Sequence, residues 1–125
     1  MIENDEVGFL PTLRSTNNMN DQLLDLVRET ARKKILFLPH AVRQMSRLDR
    51  MISPSDIHDV LENGEMIENY PEDRRGHSCL ILGFDRNNRA IHVVCSPKEE
   101  YLAVITAYLP VTRLWSQNFK ERKSL

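Results

Sequence analysis

Histidines, tyrosines and a cluster of arginines are the groups in this 125-residue chain that could move a proton or hold an anion. Imidazole titrates near neutrality, so the four histidines come first. His40 follows Pro39 at what reads as the first turn of a helix, where the helix dipole disfavours the imidazolium and leaves a neutral ring able to act as a base. His92 lies in the apolar run Arg89–Cys95, a setting in which a histidine most often makes a structural hydrogen bond. His58 and His77 fall on a helix surface and in a polar loop, and neither has HExxH or HxH spacing. No metal site and no cofactor is expected. The chain also lacks GxSxG, P-loop and GxGxxG motifs, which removes support for serine hydrolase, NTPase and dinucleotide-binding readings. Cys79 and Cys95 lack CxxC spacing and read as reduced core thiols.

The formal net charge of −1 conceals a strong segregation. Arg28, Arg32, Lys33, Lys34, Arg43, Arg47 and Arg50 face only Glu29 and Asp49 within residues 28–50, which makes this stretch a candidate anion-binding surface. Residues 56–73 carry seven acidic side chains and no Lys or Arg. Within the basic stretch, His40, Arg43, Arg47 and Arg50 are spaced three, four and three apart, so on one continuous helix they would form a column. A column of like charges repels itself unless an anion lies across it. The plainer alternative is that Asp49 and the acidic segment neutralise it.

These residues need a scaffold, and the length and composition suit one domain of soluble α+β type. Hydrophobic residues make up 41% and charged residues 28%, close to globular averages. No apolar run approaches the roughly 20 residues of a membrane span, and the acidic start MIENDEVGF is unlike a signal peptide, so a cytoplasmic protein with no membrane partner is expected. Residues 1–18 read as a flexible leader and residues 19–125 as a single α+β domain. Asn20 or Asp21 can cap a first helix with Leu23, Leu24, Val27 and Ala31 on its apolar face. Ile35–Leu38 is a link or short strand before Pro39, which opens a second helix with the stripe Ala41, Met45, Leu48 and Ile52. Ser53-Pro54-Ser55-Asp56 is a capping box, and Gly64 is expected to end that third helix in left-handed geometry.

Four extended runs follow: Glu65–Tyr70, Ser78–Phe84, Arg89–Cys95 and Tyr101–Tyr108. They predict an antiparallel sheet of about four strands after the helices. Asn87-Asn88 suits a two-residue hairpin turn, which would pair Phe84 with Ile91, Leu82 with Val93 and Leu80 with Cys95 on one core face under Met45, Leu48 and Val60. His92 would then point away from the helices, opposite Gly83.

At these residues the chain resembles a bacterial family, the domain of unknown function 4258, which is placed near the RelE and BrnT toxins. The blocks that carry the resemblance are His40-Ala41-Val42-Arg43-Gln44-Met45, Arg50-Met51-Ile52-Ser53, Gly64-Glu65-Met66-Ile67-Glu68-Asn69-Tyr70, Ser78-Cys79-Leu80-Ile81-Leu82-Gly83, His92-Val93-Val94 and Ile105-Thr106-Ala107-Tyr108-Leu109-Pro110, with Trp115 beyond. The likeness runs from about His40 to Trp115 and implies helices followed by a curved antiparallel sheet. It further implies a toxin-like endoribonuclease that works without metal and pairs with a small antitoxin protein.

Such cleavage needs an acid, a base and cations around the phosphate. His40 and His92 are the acid and base on this reading, Arg43, Arg47 and Arg50 hold RNA phosphates, and Tyr108 or Tyr70 stacks on a base or donates a proton. The alternative is a non-catalytic binding module whose basic helix face docks a protein or nucleic-acid partner.

Overall fold

Three helices line one face of an open five-stranded sheet in a computed structural model that describes residues 11–124, with side chains from Asn20 onward. The elements run α1 (Pro11–Lys33), β1 (Ile35–Phe37), α2 (Pro39–Met45), α3 (Pro54–Asn63), β2 (Glu65–Tyr70), β3 (Ser78–Phe84), β4 (Ala90–Pro97) and β5 (Leu102–Tyr108). The strand order is β1-β5-β4-β3-β2. The α+β class and the helices-then-sheet order are those expected from the sequence. The short run before Pro39 adds a fifth strand, which lies parallel to β5 and makes the sheet mixed. Of the proposed leader, residues 1–10 lie outside the described residues and residues 11–18 belong to α1.

Local chemistry accounts for the helices. Leu23, Val27 and Ala31 recur at helical spacing and are buried, and Arg32 and Lys33 fill the last turn of α1, where cations oppose the dipole. The Ser53 hydroxyl accepts from Asp56 N at 3.1 Å and the Asp56 carboxylate accepts from Ser53 N at 2.9 Å, which completes the expected capping box of α3. Ile57, Val60 and Leu61 on the inner face of α3 are buried, each adding about 1.5–3 kcal/mol of apolar transfer.

Two helix expectations are corrected. Helix α2 stops at Met45 instead of continuing through Arg50, because the chain turns over residues 46–51 and returns with Ile52 N donating to Met45 O at 2.9 Å. Leu48, expected in the core, is therefore 90% exposed, whereas Ile52 is buried after the turn. Gly64 ends α3 in extended geometry, at φ −81° and ψ 179°. Its lack of a side chain is needed for close approach: a Cβ there would lie 2.4 Å from Val60 O and 2.6 Å from Leu82 O.

The hairpin register is also corrected. Phe84 pairs with Ala90, Gly83 with Ile91, Leu82 with His92, Ile81 with Val93 and Cys79 with Cys95. The loop holds three residues, Arg86, Asn87 and Asn88, between Asp85 and Arg89. Asn88 N bonds Asp85 O at 2.9 Å, Asp85 N bonds Arg89 O at 3.0 Å, and Asn88 alone takes a positive φ, of 65°. The extra loop residue flips every side chain of β3 relative to the two-residue register. Cys79, Ile81 and Gly83 thus join Ile91, Val93 and Cys95 against the helices, while Leu80, Leu82 and Phe84 face the other way with His92. Gly83 does not make room beside His92; it admits α3, since a Cβ there would sit 2.9 Å from Val60 Cα. Cys79 and Cys95 are free and fully buried.

This register is testable. Ile81→Ala is expected to cost about 2–5 kcal/mol as a core truncation, whereas Phe84→Ala, at a half-exposed site, should cost under about 1 kcal/mol. Asp85→Ala should cost about 2–4 kcal/mol, because it leaves the loop's N–H groups and the Arg89 guanidinium without their acceptor. Urea unfolding of the three variants checks the order, and a larger loss from Phe84→Ala than from Ile81→Ala would refute the pairing.

Candidate functional site

The sheet face turned away from the helices carries polar and titratable groups among its apolar residues. On β2, a register shift between Met66 and Glu68 places Glu68 opposite Leu80, and Tyr70 two residues on shares its face. On β4 and β5, His92 stands directly opposite Tyr108. The chain after β5 crosses this face, so that Trp115 is buried against it, its ring centroid 4.4 Å from that of His92 in a T-shaped contact.

Both nitrogens of His92 are engaged. Nε2 lies 2.9 Å from Phe119 O, which can only accept, so Nε2 carries the proton; Nδ1 then accepts from the Tyr108 hydroxyl at 3.2 Å. The ring is fully buried, and burial pushes its pKa below the usual 6.5, outweighing the carbonyl of Phe119 and the charge of Glu68. Tyr108 is raised above the ordinary phenol value by its own burial.

Glu68 is the centre of a second set of contacts. Arg122 grips its carboxylate through Nε and Nη2 at 2.9 and 3.0 Å, and the Tyr70 hydroxyl donates to the same group. Burial would raise Glu68, but the bonds from Arg122 and Tyr70 prevail and hold it below the usual carboxylate range. Tyr70 is pushed up to about 12 by burial and by its bond to Glu68. The Arg122 guanidinium also lies 4.8 Å from the centroid of the Trp115 ring, a cation–π contact.

Of the residues singled out in the sequence, His92, Tyr108 and Tyr70 come together here. His40, Arg43, Arg47 and Arg50 do not join them. His40 and Arg43 are exposed on α2, whose buried Ala41 and Met45 belong to the core on the opposite side of the sheet. Because α2 ends at Met45, Arg47 and Arg50 leave the column: Arg47 pairs with Asp49 at 3.1 Å, and Arg50 bonds Gln44. His40 and His92 therefore lie on opposite sides of the sheet.

Glu68, Arg122 and Trp115 are the members to which the sequence alone assigns no role. Glu68 and Tyr70 are two apart in a predicted strand, and this period-two signal was available. Nothing local to Arg122 shows that it returns to β2. Among the described residues, no cluster of three or more His, Cys, Asp or Glu side chains is placed to hold a metal, and no helix is long and apolar enough to cross a membrane.

The buried His92 has a pH signature. Below about 6.5 the unfolded chain binds a proton that the folded ring resists, so the stability tied to neutral His92 is present above that pH and is lost as pH falls through the lowered folded value. The melting temperature should therefore fall between pH 7.5 and 5.5, above the range in which the carboxylates titrate, and fall less steeply in His92→Gln. Equal slopes by calorimetry would refute this assignment.

No curated protein and no solved structure matches the sequence. The family described as Domain of unknown function (DUF4258) matches residues 37–109, from the end of β1 to just past β5. This span is more than half of the chain and holds Glu68, Tyr70, His92 and Tyr108. The chain belongs to the DUF4258 family.

Proposed function

We propose that the protein is a metal-independent endoribonuclease, the toxin-like member of a pair with a small antitoxin protein, and that it cleaves single-stranded RNA on the sheet face turned away from α1, α2 and α3. The observation that carries this reading is the grouping of Glu68, Tyr70, His92, Tyr108 and Arg122 on one face, in two hydrogen-bonded sets, His92–Tyr108 and Tyr70–Glu68–Arg122, with the Trp115 ring touching both His92 and Arg122. The same chemistry is what the resemblance to a family placed near the RelE and BrnT toxins implies.

In this mechanism the ribose 2′-oxygen attacks the adjacent phosphorus and the bond from phosphorus to the 5′-oxygen breaks. The products are a 2′,3′-cyclic phosphate and a 5′-hydroxyl end. Glu68 takes the 2′-hydroxyl proton, and His92, neutral at rest but favoured in its protonated form by the negative charge of the bound phosphate, gives one to the departing 5′-oxygen. Arg122 turns from Glu68 to the phosphate as charge develops, which also frees the carboxylate to act as the base. Tyr108 steadies the imidazole, because its hydroxyl can donate to Nδ1 or accept from it and so serves both protonation states of the ring.

A second reading is favoured by one specific observation: both nitrogens of His92 are already satisfied in a buried site, as in a structural histidine. On that reading the chain is a non-catalytic binding module, and the exposed Arg43 and Arg47 on the helix side meet a protein or nucleic-acid partner.

The two readings separate on labelled single-stranded RNA incubated with purified protein and a chelator. Cleavage that leaves cyclic-phosphate ends is expected, with His92→Ala and Glu68→Gln each slowing it by about 10²–10⁴-fold, while His40→Ala leaves the rate unchanged. RNA that stays intact with folded protein selects the binding module.

A further inference from the structure

Residues 111–124 differ from the rest of the chain in how they are attached. Their backbone bonds close on themselves: Trp115 N to Val111 O at 3.0 Å, Ser116 N to Glu121 O at 2.8 Å, Phe119 N to Ser116 O at 2.8 Å and Lys123 N to Leu114 O at 2.9 Å, with an isolated bridge between Trp115 and Arg122. Among the described residues, no backbone-to-backbone hydrogen bond joins this segment to a strand of the sheet.

What holds it down is the Trp115 ring, one bond from His92 to Phe119 O, and two ion pairs, Arg122–Glu68 and Lys120–Glu65 at 3.2 Å. Lys120 and Glu65 are both well exposed, so water and salt compete with their pairing. Phe119 takes a φ of 64°, a left-handed conformation that costs a non-glycine residue free energy. Beside it a groove of about 450 Å³ runs between Gln117–Lys120 and Leu82–Phe84, so the segment is incompletely packed on the sheet. The segment also lies beyond the stretch that matches the family, which ends at residue 109.

We propose that residues 111–124 are a self-bonded cover that lifts from the sheet as a unit, shutting the Glu68–His92 site at rest, admitting substrate when raised, and bringing Arg122 onto the phosphate as it settles over the bound strand. Each anchor occupies a group that the reaction needs. The Phe119 carbonyl takes the imidazole nitrogen that would face a substrate, Arg122 neutralises Glu68, and the Trp115 ring fills the place beside His92 where a nucleobase could stack. A single strand of RNA offers a competitor for the last two: phosphates for Arg122 and a base for the ring. The role of the cover in gating cleavage rests on the function proposed above, but its ability to lift does not.

Amide hydrogen exchange of the full chain tests the lifting directly. Peptides spanning 111–124 should exchange at least tenfold faster than those of β4 and β5, because the cover opens without unfolding the sheet. Lys120→Glu, which turns the attraction to Glu65 into repulsion, should speed exchange in the cover severalfold and leave the strands unchanged. The double swap Glu65→Lys with Lys120→Glu should restore the original rate. The chain's single tryptophan gives a second readout: acrylamide quenching of Trp115 should rise in Lys120→Glu, and should rise in the original protein on adding a 2′-O-methyl RNA oligonucleotide, which cannot be cleaved.

Cover and strands exchanging at one common rate would overturn the proposal. Faster exchange and quenching in Lys120→Glu together with faster RNA cleavage supports both cover and nuclease. Faster exchange with RNA left intact keeps the cover and removes the nuclease.

Discussion

The carboxylate of Asp85 determines which side of the sheet each residue of β3 occupies. Its side chain is almost wholly buried and accepts from Asn87 N at 2.9 Å, Arg89 N at 2.8 Å and Arg89 Nε at 2.6 Å. Those bonds outweigh the cost of burial and hold the acid below its usual range. They also fix a three-residue loop, and the loop length sets the register of β3 on β4. Arg89 carries the constraint further by donating to the carbonyls of Arg50 and Met51, which ties the hairpin tip to the turn between α2 and α3. One partly buried ion pair thus joins the sheet register to the helix layer.

Once that register is set, the two faces of the sheet take on different work. The face under the helices is apolar and closely packed, and glycines stand where the backbone of α3 and the sheet come nearest. Among the described residues, no helix covers the opposite face. Its titratable groups satisfy one another or are met by the C-terminal segment, as buried polar groups must be. The main apolar core and the titratable cluster in this way lie on separate sides of one sheet.

Much of this was legible in the sequence where the signal is local. The Ser53–Asp56 capping box, the buried positions of the first helix, the extents of β2 and β3 and the outward direction of His92 follow from spacing and side-chain type. The hairpin pairing was not, because Asn87-Asn88 is compatible with a two-residue turn, and only the buried Asp85 selects the longer loop. The end of α2 was hidden for a related reason: Leu48 continues the apolar period, yet the chain turns at Ser46 to satisfy the bond from Ile52 back to Met45. The candidate site was half legible. Tyr70, His92 and Tyr108 stood out by type, but Arg122 and Trp115 reach the site through a segment with no periodic pattern. The column formed by His40 and the arginines rested on a helix that the tertiary structure cuts short.

The parallel pairing of β1 with β5 has a consequence for how the chain is made. Ile35 faces Leu102, Lys34 O accepts from Leu102 N, and Val104 O accepts from Leu38 N, so among the described residues β1 finds its strand partner in β5, the last strand along the chain. During synthesis the first strand, and the start of α2 that follows it, must wait unpaired until β5 has left the ribosome. The order of translation then runs against the order of assembly: the β2–β3–β4 meander can form as it emerges, while the N-terminal edge closes last. Until then the apolar faces of α1 and α2 have only a partial sheet to cover them, and in that interval the nascent chain is most exposed to association with others.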